Sequence, residues 1–154
     1  MKFSAKYWIP APVIVGLTAI EVTLRLVFGL GNPVLSQADI DTRYRFQPNQ
    51  KVFRFSKNIE YNQYSQRSEP ITLEKPKGLL RILMTGDSVL NGGSLIDQGQ
   101  TISELLEAKL PALGHPSEVL NASAGSGIGN QLGYLPKFGT FQGDAVILQM
   151  APTI

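Results

Sequence analysis

The chain of 154 residues lacks cysteine altogether, which excludes disulfide bridges and thiolate metal sites. Histidine is almost absent too, because His115 is the only one. Charged residues make up 17% of the chain and the formal net charge is +2. No basic stripe interleaved with aromatic residues is present, so we expect no nucleic-acid partner.

Only one apolar run is long enough to cross a bilayer, which takes roughly 20 residues. It reads "YWIPAPVIVGLTAIEVTLRLVFGLG" and begins at Tyr7. Glu21 and Arg25 interrupt it with helical spacing, so the two charges can neutralise each other on one helix face. We predict a membrane helix over Tyr7–Leu30, within an anchor of residues 1–31. A cleaved signal peptide and a buried helix of a soluble domain remain alternatives, although no small-x-small cleavage site follows.

Charges on either side of the run predict its orientation. Lys2 and Lys6 precede it, whereas the first charges after it are Asp39 and Asp41. The positive-inside rule therefore predicts a single-pass protein with a cytoplasmic N-terminus and the remainder outside the cytoplasm.

Residues 32–78 are polar and predict a linker. Within it, "KVFRFSKNIEY" alternates in part between apolar and polar residues, which indicates a strand or a small hairpin. "EKPKG" at residues 74–78 predicts the turn that ends the segment. A solvated stalk is the alternative interpretation.

From residue 79 the sequence pattern predicts alternating strands and helices. "LLRILMT" (79–85), "EVLNAS" (118–123) and "DAVILQM" (144–150) predict strands, while "TISELLEAKL" (101–110) and "NQLGYLPKF" (130–138) predict helices. Thr101 and Glu104 predict a capping box, and Ile102, Leu105, Leu106 and Leu110 predict one apolar stripe. This alternation predicts an α/β domain with a parallel sheet, whose ligands bind beyond the carboxyl ends of the strands.

Two loops, around Ser88 and over residues 121–129, should converge at that edge. Neither loop matches a nucleotide-binding motif, because "GDSVLNGGS" lacks the Gly-Lys-Ser/Thr of a P-loop and "GSGIG" lacks the dinucleotide spacing. We therefore expect no cofactor and no metal. A serine on a tight turn after a strand can act as a nucleophile or can simply end the strand.

Three stretches, "ILMTGDSVLNGG", "VLNASAGSGIGNQLGYLPKF" and "DAVILQM", stand in the order and spacing of known sequence blocks. They resemble the SGNH hydrolases, the GDSL esterase and lipase superfamily, over residues 79–150. The anchor together with "YNQYSQRSEP" is similar to membrane-tethered bacterial members. The resemblance implies a three-layer α/β/α, flavodoxin-like parallel sheet, here with about three strands. It also implies a serine ester hydrolase acting on a small acyl ester, such as an O-acyl group of a surface glycan or a lipid ester.

The resemblance also implies roles for individual residues. Ser88 matches the nucleophile, and its backbone amide matches one oxyanion donor. Asp87 matches the motif acid, which fixes the turn. The second oxyanion donor falls on the amide of Ser126, with Gly125 and Gly127 beside it as alternatives.

The chain departs from the family in its later blocks. Thr153, in "MAPTI", stands where the third block has an oxyanion-hole asparagine, and no Asp-x-x-His block supplies a base. His115 lies in "ALGHPSE", a predicted turn at the opposite end of the sheet from Ser88. Without a base a serine stays a weak nucleophile, and the "AVILQM" strand should form an exposed sheet edge. We therefore expect a truncated partial domain over residues 79–154 with little or no activity; the alternative is a non-catalytic, membrane-tethered remnant or pseudoenzyme.

Overall fold

The computed structural model describes residues 10–124 and 128–150. The helices are α1 (Pro10–Phe28), α2 (Ser88–Asn91), α3 (Ile102–Lys109) and α4 (Ile128–Phe138), and short 3-10 turns cover Gln98–Gln100 and Leu110–Leu113. The strands are β1 (Ser36–Asp39), β2 (Arg43–Phe46), β3 (Gln50–Arg54), β4 (Lys57–Tyr61), β5 (Leu80–Thr85), β6 (Ser117–Asn121) and β7 (Ala145–Leu148).

Helix α1 is shorter than the predicted Tyr7–Leu30, whose first three residues lie outside the described ranges. It ends because Gly29 adopts a positive φ of 64°. The Gly29 amide donates to the Arg25 carbonyl, as in an αL C-terminal motif, and the Leu30 amide donates to the Leu24 carbonyl. These two bonds satisfy carbonyls that the helix end leaves free.

The surface of α1 is apolar and free of core contacts. Its 19 residues have a mean hydropathy of 1.8 in the best window, and none of its side chains is buried. Arg25 bonds to Glu21 at 2.6 Å, as their spacing predicts. The helix is therefore long and apolar enough to span a membrane, and its side chains do not pack into the core of the described residues.

Two antiparallel hairpins follow the helix, β1–β2 and β3–β4. The second was predicted from its alternation; the first was not, because "SQAD" carries almost no apolar signal. After the hairpins the chain turns inward, and a polar run is buried against the rest of the fold: Asn62, Ser65, Gln66, Arg67 and Ser68. A solvated stalk does not describe these residues.

The central sheet is parallel, in the order β6-β5-β7, as the alternation of strands and helices predicted. Leu80 pairs with Ser117 on one side of β5, and Ile82 pairs with Ala145 on the other. Strand β5 is central and nearly all of it is buried, which explains its continuous apolar sequence.

Alternate residues of the sheet pack against different helices. Leu83 and Leu120 join a cluster that includes Tyr134 of α4. Ile82 and Val119 join a second cluster, to which Leu106 of α3 and Leu110 contribute. The predicted stripe on α3 is therefore only half correct, since Ile102 and Leu105 are exposed.

Strand β7 forms an edge of this sheet, and all four of its residues are exposed. Val146, Ile147 and Leu148 thus present large apolar side chains to solvent. The expected exposed edge is present within the described part of the chain.

Candidate active site

Ser88 lies immediately beyond the carboxyl end of β5, at the first position of α2, and it is exposed. Asp87 is the N-cap of this short helix, and its carboxylate accepts a hydrogen bond from the Val89 amide at 2.8 Å. That contact orients the turn, because a capping carboxylate satisfies an amide that the helix leaves free. Among the described residues, none accepts a hydrogen bond from the amide of Ser88.

Gln149 holds the same turn from the neighbouring strand. Its backbone amide donates to the Thr85 carbonyl at 2.8 Å, and its side-chain oxygen accepts from the Asp87 amide at 3.0 Å. A Cβ at position 86 would lie 2.5 Å from Gln149 Oε1 and 2.9 Å from Leu90 Cδ2, so a larger residue there would force the ends of these two side chains to move. Gly86 therefore allows β7 to support the turn that carries Ser88.

The loop after β6 meets this turn, as the parallel topology predicted. The Ala122 amide donates to the Met84 carbonyl at 2.8 Å, and the Ala124 amide donates to the Gly86 carbonyl at 3.1 Å. Asn91 Nδ2 donates to the Ser123 carbonyl at 3.1 Å. The two loops therefore converge over residues 86–91 and 121–124.

The predicted second oxyanion donor lies outside the described residues. Ser126, Gly125 and Gly127 all fall in the gap between residues 124 and 128, and Thr153 falls beyond residue 150.

The Asn121 side chain links the two loops through hydrogen bonds. It is fully buried at the end of β6, and its Nδ2 donates to the Leu90 carbonyl at 3.1 Å and to Ser103 Oγ at 3.0 Å. Its Oδ1 accepts from both the amide and the hydroxyl of Ser123. Every polar atom of this amide group is thus used to fix α2 against α3 and the second loop.

Arg67 supports the loop after Ser88, and the sequence did not predict this role. Its fully buried guanidinium donates to the carbonyls of Asn91 at 2.5 Å, Gly93 at 2.6 Å and Ile96 at 2.5 Å. The side chain therefore holds the loop that follows Ser88 by three backbone contacts. Burial lowers the pKa of Arg67, and the charges of Asp97 and Glu104 oppose that shift.

Tyr61 supports the same loop from β4. Its hydroxyl donates to Asn91 Oδ1 at 3.0 Å, and burial raises the pKa of Tyr61 to about 12. The phenol thus stays neutral and remains a hydrogen-bond donor. Only the polar stretch "YNQYSQRSEP" could have signalled these contacts, since no periodicity in it predicts which residues turn inward.

His115 lies at the opposite end of the sheet from Ser88. It precedes β6, whose first residue pairs with Leu80 at the start of β5. Five residue steps of β5 separate that end from Thr85, or roughly 16 Å at 3.3 Å per residue. His115 therefore cannot act as the base for Ser88 in this conformation.

Comparison of the sequence with known protein families, with curated proteins and with solved structures finds no match. Within the described ranges, no cluster of three or more His, Cys, Asp or Glu side chains could hold a metal ion. The chemical possibilities of the site therefore follow from its own geometry.

Proposed function

We propose that the chain carries the nucleophile end of a membrane-anchored ester hydrolase of the SGNH (GDSL) type, with a flavodoxin-like α/β/α arrangement. The observation that carries the proposal is the convergence of two loops on the exposed Ser88 beyond the carboxyl ends of β5 and β6. In this proposal Ser88 Oγ attacks the carbonyl carbon of a small acyl ester. Its own amide, together with one from residues 125–127, stabilises the oxyanion. Candidate substrates are O-acyl groups of surface glycans and lipid esters.

The location follows from the anchor. We propose that α1 crosses the membrane once, with the N-terminus in the cytoplasm and the hydrolase-like part outside it. The supporting observations are the length and apolar surface of α1 and the lysines that precede it.

A second candidate, a non-catalytic tethered domain, is favoured by the position of the only histidine. Ser88 has no imidazole near it in this chain, and a serine without a base reacts slowly at neutral pH. An oxyanion hole alone still leaves some rate enhancement. For the 154-residue chain we therefore expect acylation of Ser88 without efficient turnover.

The test is acetylation by p-nitrophenyl acetate, followed by mass spectrometry of the serine-containing peptides. Attack by Ser88 Oγ releases p-nitrophenolate, passes the serine proton to buffer and leaves an acetyl ester on Ser88. We expect acetylation concentrated at Ser88, faster with added imidazole as an external base, and absent from Ser88→Ala. Ser94→Ala, in the turn after α2, is the matched control and should leave acetylation unchanged.

Two results would count against the proposal. Equal acetylation of Ser88 and other exposed serines would remove the evidence for an activated site. A burst followed by steady Ser88-dependent turnover would instead overturn the expectation that this chain turns over inefficiently.

A further inference from the structure

The β3–β4 hairpin is fastened to the last turn of α1. Ser56, in the hairpin turn, donates from its hydroxyl to the Val27 carbonyl at 3.0 Å and from its amide to the Phe28 carbonyl at 3.4 Å. Gly29 lies against Phe53 so closely that a Cβ at position 29 would stand 2.1 Å from the Phe53 carbonyl oxygen. The hairpin turn is therefore in direct contact with the C-terminal end of α1.

The length of α1 determines where its C-terminal end, and so the hairpin turn, would lie in a bilayer. Its 19 residues extend about 28 Å at 1.5 Å per residue, close to the roughly 30 Å of a hydrocarbon core. A membrane-spanning α1 therefore brings Phe28 to the boundary between hydrocarbon and headgroups. Ser56 touches Phe28, so the hairpin turn must lie at that boundary as well.

The composition of the turn suits such a position. Phe53 is 39% exposed and Phe55 is 38% exposed, large fractions for aromatic rings. The Arg54 guanidinium lies 4.5 Å from the centre of the Phe55 ring, and Lys57 follows in the sequence. Aromatic rings beside Lys and Arg are typical of segments that lie in the membrane interface.

Nearby acids leave these cations available to lipid. Glu60 is paired with Lys51 at 2.7 Å, and the Asp97 carboxylate accepts from the Asn58 amide at 2.8 Å. Among the described residues, neither acid pairs with Arg54 or Lys57. The hairpin turn thus offers two cations that can reach anionic headgroups.

We propose that residues 53–57 form a second membrane contact, in which Phe53 and Phe55 enter the headgroup region and Arg54 and Lys57 bind anionic phospholipid. This proposal rests on the proposed membrane span of α1 and is independent of ester hydrolysis. Its consequence is orientation. Strand β4 runs from the turn to Tyr61 in about 13 Å, and Tyr61 bonds to Asn91, three residues after Ser88. The contact would hold Ser88 near the membrane surface.

The absence of cysteine makes the test direct, since one introduced cysteine gives one labelled site. The full chain is reconstituted into vesicles of phosphatidylcholine, with or without phosphatidylglycerol, and carries a fluorophore at Asn58→Cys, Ile20→Cys or Ala112→Cys. Asn58 is exposed beside the turn, Ile20 lies within α1, and Ala112 is exposed near the sheet end away from Asn91. Nitroxide lipids, spin-labelled at the headgroup or deep in the acyl chain, serve as quenchers.

We expect headgroup quenching at position 58 in anionic vesicles, deep quenching at position 20 and none at position 112. Arg54→Gln and Lys57→Gln should each lower the equilibrium constant for contact between the turn and the membrane about fivefold, at about one kcal/mol per cation near an anionic surface. Phe55→Ser should also reduce quenching at position 58. The matched control Leu113→Ser, which removes an exposed apolar side chain elsewhere, should not.

Each failure has a different meaning. Deep quenching at position 20 without headgroup quenching at position 58 would overturn the hairpin contact and leave the anchor standing. Loss of quenching at position 20 would overturn the anchor and the contact together. Equal quenching at position 58 in vesicles with and without phosphatidylglycerol would refute binding of anionic headgroups.

Discussion

Replacing Arg67 by methionine tests the main internal support of the candidate site. The guanidinium of Arg67 donates to the carbonyls of Asn91, Gly93 and Ile96, and no part of the residue is exposed. Methionine is apolar and of similar length, so the variant removes these three hydrogen bonds, and a longer one from Nε to Gln98 Oε1, while largely keeping the packing.

The magnitude follows from opposing contributions. The contact to the Asn91 carbonyl is buried, whereas those to the Gly93 and Ile96 carbonyls are part-buried. A buried carbonyl left without a donor costs about 1–3 kcal/mol and a part-buried hydrogen bond about 0.5–1.5 kcal/mol, a gross cost of roughly 2–6 kcal/mol. Removing a buried cation recovers part of that cost as desolvation free energy. We therefore expect the free energy of unfolding to fall by about 1–3 kcal/mol.

Urea unfolding of the full chain in detergent, together with hydrogen exchange, measures this effect. We expect exchange of the amides of Asn91 and Gly92 to accelerate most, since their carbonyl acceptors belong to the turn and helix that Arg67 supports. Lys77→Met is the control, because Lys77 is exposed and surface changes usually stay within about 0.5 kcal/mol. An Arg67→Met variant as stable as this control, with unchanged exchange at those amides, would refute the supporting role.

Two further predictions concern the turn and the acid stability of the fold. Gly86→Ala should destabilise by about 1 kcal/mol in thermal unfolding, because its Cβ would push Gln149 Oε1 away from the Asp87 amide. Gly99→Ala, where nothing lies within 4 Å of the added Cβ, should be close to neutral, and equal melting temperatures for the two variants would contradict the steric argument. Burial alone would raise the pKa of Asp39, but hydrogen bonds from Lys137 and two backbone amides hold it well below the usual value. A depressed carboxyl pKa contributes stability above the usual aspartate pKa of about 3.9 and loses it as the pH falls toward the folded-state value. Asp39→Asn should therefore be less stable than wild type at pH 7, with a difference that shrinks on acidification; a difference independent of pH would exclude this linkage.

Local signals in the sequence were sufficient for the parallel sheet and its helices. These signals are local. The apolar run of β5 and the Thr101 cap of α3 each depend on residues that lie close together in the chain, and each strand can be predicted from its own residues. They can therefore be read from the sequence alone. The Thr101 cap forms with a distance of 3.4 Å from its hydroxyl to the Glu104 amide. Its predicted reciprocal half does not form, because Glu104 accepts from Gln98 and the Thr101 amide donates to the Gln98 carbonyl. Gln98 thus takes both partners of the predicted contact between Glu104 and the Thr101 amide.

Long-range partners could not be predicted in this way. Hairpin β1–β2 has weak local preference, and it packs near α4: Asn130 Nδ2 donates to the Tyr44 carbonyl at 2.7 Å, and Gly133 leaves no room for a Cβ beside the Asp41 carbonyl. Such contacts join residues about 90 positions apart in the chain. No periodicity encodes them, because they depend on how complete elements are placed.

The sequence by itself determined the apolar helix, the strand and helix alternation, and the position of Ser88 just after a strand. These follow from side-chain periodicity, helix capping and the rule that parallel strands end at one edge. The predicted position of His115, at the far end of the sheet from Ser88, agrees with the pairing of Ser117 with Leu80. Only the tertiary structure decided that Arg67, Asn121 and Gln149 hold the loops around Ser88. The physical reason is that a buried polar group takes whichever partner the fold brings to it, and that partner lies tens of residues away in the chain.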